Sequence, residues 1–234
     1  MAGPLSAGRS GEARVNRAAL PYVLPFAVLV ALIPAVGVLG LGARTELLIR
    51  LLLPAAALLW VWRSLPPIKV SRPAASCLLG VGVFVGWIAP DLLAPGWRSS
   101  WLLQNPLVGK LTASLPAAAW KDPVNLLLRS LRACTVVALA EELFWRGWFM
   151  RWLIRDDFEA IPVGAYQARA FLATALLFAL EHGSYWDVGL LAGLAYNWWA
   201  VRTRSLGDLI LAHCVTNAAL AAFVIATQRW EFWM

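Results

Sequence analysis

The feature that most constrains this chain is a succession of apolar stretches, each about as long as the hydrocarbon core of a bilayer is thick. An α-helix rises about 1.5 Å per residue, so roughly 20 apolar residues cross the ~30 Å of lipid. Stretches of this kind lie near residues 20–42, 46–62, 74–95, 130–153, 167–182, 185–201 and 206–227. Hydrophobic residues make up 61% of the chain and charged residues 14%, a balance foreign to soluble domains. In lipid every backbone N–H and C=O must be satisfied within the protein, which leaves helices as the economical solution. The predicted fold is therefore all-α, a polytopic transmembrane helical bundle of about seven to eight spans.

The polar residues divide this bundle unevenly. Residues 1–19 are rich in Gly, Ala, Ser and Arg and read as a disordered N-terminal tail, without the apolar core and cleavage site of a signal peptide. Residues 20–95 carry few polar groups within their spans and are expected to form scaffold helices. Residues 96–122 mix Trp and Lys with Pro106 and Pro116, as an interfacial connector does. Residues 123–234 hold nearly all the intramembrane polar side chains and are expected to carry the chemistry, within a single membrane domain.

A net charge of +7 suggests nucleic acid in a soluble protein, but here Arg and Lys are scattered over loops and helix ends. Membrane topology accounts for them, and nucleic acid is set aside as a partner. The lipid bilayer is the first partner. Cys77, Cys134 and Cys214 sit singly in apolar segments and form no disulfide or zinc-knuckle pattern.

Three apolar segments contain ionisable groups, which are costly in a membrane and normally face a protein interior or a wet cavity. Glu141 and Glu142 precede Arg146 in E-E-L-F-W-R. The four-residue spacing puts Glu142 and Arg146 on one helical face, and Glu141 points about 100° away. Phe178 and His182 share a face in F-A-L-E-H, at a span end marked by Gly183. His213 and Asn217 share another in H-C-V-T-N. Alternating spans bring all three groups to a similar depth. Each has a structural alternative taken alone: an ion-pair clasp between helices, a histidine satisfying a carbonyl, an interhelical hydrogen bond. Together they form the parts of a hydrolase. A glutamate and a histidine can deprotonate a water, and a second histidine and an asparagine can donate hydrogen bonds to a developing oxyanion.

The ordered triple EExxxR, FxxxH and HxxxN resembles the three motifs of the CAAX prenyl protease and bacteriocin-processing (CPBP) family of intramembrane proteases, over about residues 123–227. The resemblance implies that Glu141 and His182 activate water and that His213 and Asn217 form the oxyanion hole. It further implies that Glu142, Arg146 and Phe178 support the site. The chain's shortness and bare N-terminal half are similar to an exosortase-associated bacterial branch, which implies a bacterial inner membrane, a protein or peptide substrate, and a sortase-like membrane enzyme as a further partner.

Glu141, His182 and His213 are also a zinc ligand set, so zinc stands as the alternative cofactor. The HExxH spacing of zincins is absent, and the pairing of His213 with Asn217 suits donors to an oxyanion, so the favoured reading is a glutamic-type protease without catalytic metal. Two other readings are a silent membrane immunity or sorting-accessory protein that binds a peptide, and a proton-coupled transporter. The lopsided distribution of polar groups argues against the transporter, which would need paired half-repeats.

Overall fold

A computed structural model describes residues 5–106, 109 and 117–233. Seven helices form a bundle with no strand among the described residues: α1 (Leu5–Val38), α2 (Ala43–Val61), α3 (Pro73–Leu93), α4 (Pro123–Trp152), α5 (Ala168–Leu180), α6 (Trp186–Thr203) and α7 (Leu206–Thr227). The residues expected as a tail join α1 from Leu5 onward.

Local sequence sets the helix starts. Asp122 accepts a hydrogen bond from the Val124 amide at 2.9 Å and Pro123 occupies the first turn of α4, where its missing N–H costs nothing. Ser205 caps α7 through the Asp208 amide at 3.1 Å, and Gln167 accepts from the Ala170 amide at the start of α5. Asp208 serves a second helix as well. Its Oδ1 accepts from the Ser71 and Arg72 amides at 3.0 and 2.8 Å and from Ser76 Oγ at 3.2 Å, so α7 satisfies orphan donors at the entry to α3.

Helices α1, α2, α3, α4 and α7 are long and apolar enough to cross a membrane, with only 22–39% of their apolar windows buried inside the protein. The remainder is surface of the kind that faces lipid. The fifth and sixth expected stretches behave differently: α5 has 13 residues, about 20 Å, because Glu181, His182 and Gly183 end its apolar run. It packs along α6 as a hairpin whose apex is the turn Gly183–Tyr185.

Helices without a hydrophobic drive between them associate through close contact of small residues. A Cβ on Gly80 of α3 would stand 2.4 Å from the Ala212 carbonyl of α7, and one on Gly193 of α6 3.0 Å from the Ala175 carbonyl of α5. The glycines thus bring α3 to α7 and α5 to α6 at backbone distance. Within α4 two stretches, Arg132–Val137 and Leu143–Phe149, widen to π-helix on either side of the glutamate pair. Such widenings occur often at functional positions because they free backbone carbonyls and redirect side chains.

Beyond α3 residues 96–106 of the connector fold back onto the hairpin apex, and Pro116 lies outside the described residues. Buried Arg98 pairs with Asp91 at 2.6 Å and Asp187 at 2.5 Å and donates to the Ser184 carbonyl at 2.8 Å. Trp97 Nε1 donates to Asp187 at 2.8 Å. These contacts hold the α5–α6 turn against the end of α3.

Candidate active site

The fold gathers Glu141, His182, His213 and Asn217 around one cavity of about 490 Å³. Its walls come from α1 (Phe26, Ile33), α3 (Trp87) and α6 (Tyr196) as well as from the three motif segments. The helices expected as scaffold therefore also shape the site. Val30 and Ile33, 43% and 57% exposed, make its α1 rim an apolar face toward lipid.

Glu142 and Arg146 form the foundation, both fully buried. Arg146 Nη1 donates to Glu142 Oε1 at 3.0 Å, Nε to Asn197 Oδ1 at 2.8 Å and Nη2 to the Gly193 carbonyl at 3.3 Å. Asn197 in turn donates to the Phe171 carbonyl at 2.8 Å. The guanidinium lies 4.6 Å over the Phe178 ring and 5.5 Å from that of Tyr196. A planar fork with three acceptors and aromatic faces is a role for Arg rather than Lys.

His213 stands on this foundation. Its Nδ1 lies 2.9 Å from Glu142 Oε1 and its Nε2 3.8 Å from Glu141 Oε2, while its ring stacks on Tyr196 at 5.0 Å. Tyr196 is fixed by its hydroxyl, which donates to Thr216 Oγ1 at 2.8 Å, and Thr216 donates to the Gly80 carbonyl at 2.9 Å. One chain of contacts thus runs from the ion pair through the imidazole to the α3–α7 crossing.

His182 is held from the other side. Its Nδ1 lies 2.7 Å from the Phe178 carbonyl, an acceptor only, so Nδ1 carries the hydrogen and neutral Nε2 is left as a base toward the cavity. The ring packs edge-on to Trp87 at 5.2 Å, and Trp87 stacks on Tyr185. Phe178 therefore supports the site twice, with its ring beneath Arg146 and its carbonyl on His182.

Glu141 faces the cavity as its angular offset from Glu142 predicts, and its Oε2 is buried without a hydrogen-bond partner among the described residues. Asn217 donates from Nδ2 to the Ala133 carbonyl at 2.8 Å, within the first π-helical stretch. An amide nitrogen has two hydrogens, so one remains for the cavity.

A further carboxylate belongs to the site. Glu181 lines the cavity and accepts from Trp145 Nε1 at 3.1 Å. Donor atoms of Glu141, Glu181 and His182 all lie within 4.8 Å of one another. Among the described residues these three could hold a metal ion, and His213 of the expected set Glu141, His182 and His213 places its Nδ1 on Glu142 instead. The adjacency of Glu181 to His182 was the available sequence signal. Asn197 was legible as another lone amide in an apolar helix, whereas nothing local singles out Trp87 or Tyr196.

The three motif segments that converge on this cavity also lie within one stretch of similarity to a known family. Residues 123–219 match the family model described as type II CAAX prenyl endopeptidase Rce1-like. The Rce1-like segment begins with α4 and takes in all three motifs, Glu141 to Arg146, Phe178 to His182 and His213 to Asn217. No curated protein and no solved structure matches the chain. The chain is thus an integral membrane protein in which residues 123–219 are similar to the Rce1-like family.

Proposed function

We propose that the chain is an intramembrane endopeptidase of glutamic type that hydrolyses a peptide bond at the membrane. The observation carrying this reading is the placement of Glu141, whose Oε2 has no hydrogen bond among the described residues, beside His182 in a cavity rimmed by apolar residues.

In this reading Glu141 and His182 orient a water and take its proton as its oxygen attacks the scissile carbonyl. The C–O bond forms as the carbonyl π bond moves to oxygen, and the resulting oxyanion accepts from Asn217 Nδ2 and from protonated His213 Nε2. Glu142 supports that protonated state by accepting from Nδ1. Collapse of the intermediate breaks the C–N bond, and the proton held by Glu141 or His182 passes to the leaving amine. Glu181, oriented by Trp145, adds a second carboxylate beside the water.

A divalent cation, when bound, would be held by Glu141, Glu181 and His182 and would acidify a bound water. Chelation separates the two versions of the chemistry: cleavage by protein reconstituted in liposomes is expected to survive exhaustive chelation and to disappear in Glu141→Gln. Loss on chelation, restored by zinc, would overturn the glutamic assignment. The substrate proposed is a membrane-bound polypeptide of a bacterial inner membrane, entering from lipid past Val30 and Ile33.

A further inference from the structure

Residues 228–233 add a wall to the cavity. Gln228, in the left-handed region at φ 58°, ends α7 with its amide donating to the Val224 carbonyl at 2.8 Å, and the chain turns back as the helical turn Trp230–Trp233. Phe232 on this turn lines the cavity and is 5% exposed. Its ring meets Tyr185 of the hairpin apex at 6.0 Å and Phe223 of α7 at 5.7 Å, so it fills the gap between those two elements. Leu220, also on the cavity wall, packs against the same cluster. This strap is fastened at both edges. Tyr185 donates from its hydroxyl to the Glu231 carbonyl at 2.9 Å. On the other edge Trp230 stacks on Trp120 at 5.4 Å, and the Arg129 guanidinium lies 5.2 Å from the rings of Trp120 and Trp233 while donating to the Trp233 carbonyl.

The surroundings of the strap are those of a membrane surface. Lys121 and Asp122 precede α4, Gln228, Arg229 and Glu231 follow α7, and Asp187 lies beside the apex, as polar residues and tryptophans do where helices leave a bilayer. The α1 rim is apolar instead, with Val30 and Ile33 open to lipid. The cavity thus has one side toward lipid and another toward water, and Phe232 stands across the second.

We infer that the strap, through Phe232, selects substrates by their route: it shuts the water-facing side of the cavity and confines entry to polypeptide segments that arrive from lipid. This selection rests on the protease reading, whereas access to the cavity is measured without turnover. Leu220→Cys, in protein whose native Cys77, Cys134 and Cys214 are replaced by alanine, is placed in lipid nanodiscs and treated with a trimethylammonium methanethiosulfonate or with apolar N-phenylmaleimide, each rate being normalised to that in SDS. With the strap intact the apolar reagent is expected to react and the charged one to lag. Two variants open the strap: Phe232→Ala, and Trp230→Ala, which loosens it from outside the cavity lining. Each is expected to raise the charged-reagent rate about tenfold or more and to leave the apolar rate within about twofold, since a shielded thiol reacts only as often as its cover opens. Phe232→Ala, with native cysteines, is further expected to cleave a water-soluble peptide that the wild type cleaves only when it is anchored in the membrane.

A charged-reagent rate as high as the apolar one with the strap intact would overturn the inference, and this comparison stands even where Phe232→Ala does not fold. A charged-reagent rate that neither variant raises, or a parallel rise of both rates, would overturn it as well. So would an opened cavity in Phe232→Ala that cuts the anchored peptide and still spares the soluble one. Strap-dependent labelling in a protein that cleaves neither peptide would sink the protease reading and leave the strap standing as the cover of the cavity.

Discussion

His213 Nδ1 lies 2.9 Å from Glu142 Oε1, so the second glutamate of the pair orients the histidine while the first faces the cavity. The two adjacent carboxylates therefore have separate tasks. Glu142 shares one oxygen between Arg146 and His213, tying α4 to α7 at the base of the site. Glu141 keeps Oε2 without a hydrogen bond among the described residues, 3.8 Å from His213 Nε2.

Arg146→Ala leaves Glu142 buried without its cation and is expected to destabilise the protein by about 3–5 kcal/mol. Arg146→Lys recovers only part of this, since an ammonium cannot reach Glu142, Asn197 and the Gly193 carbonyl in one plane. Thermal unfolding in detergent checks both. Unchanged stability in the alanine variant would contradict the buried pair.

Asn197→Ala removes the hydrogen bonds linking Arg146 to α5 through the Phe171 carbonyl. Leaving these buried groups unsatisfied is expected to cost about 1–3 kcal/mol. Combined with Arg146→Ala in a double-mutant cycle, the losses are expected to be less than additive; strict additivity would show that the two residues do not act as one network.

Gly80→Ala puts a methyl group into the α3–α7 contact, 2.4 Å from the Ala212 carbonyl, and is expected to cost about 1–3 kcal/mol. Gly82→Ala, two residues away with nothing within 4 Å, is the control. It is expected to be neutral or to stabilise α3 by up to about 1 kcal/mol. Equal effects in the two unfolding curves would refute the close crossing.

Asn217→Leu keeps the size of the side chain but removes a donor to the oxyanion, and is expected to lower kcat by about 10²- to 10³-fold with little change in KM. A rise in KM at constant kcat would make Asn217 a substrate-binding residue instead.

The all-helical bundle and the directions of the motif side chains along their own helices were legible in the sequence. Spacing alone put Glu142 on Arg146 and turned Glu141 away, because one turn of helix fixes those directions whatever surrounds it. Convergence of His182 and His213 followed from the cost of polar groups in lipid. What spacing could not convey depends on contacts between distant segments. Trp87 reaches His182 from α3, and Tyr196 supports His213 from α6, yet each looks like an ordinary aromatic residue in an apolar run. The length of α5 was also hidden, since Ala168–Leu180 is as apolar as a true span and only the polar apex at Glu181 and His182 shortens it. Asp208 illustrates the same limit: a carboxylate at the start of α7 looks like a local helix-end charge, whereas its hydrogen bonds go to α3.

Cleavage of polypeptides through Glu141 is tested most directly by comparing neo-termini in membrane and secreted fractions of cells carrying wild-type or Glu141→Gln protein. Termini present with the wild type and absent with the variant are expected, at equal amounts of folded protein in the membrane. Identical termini in the two, with the variant folded, would contradict it.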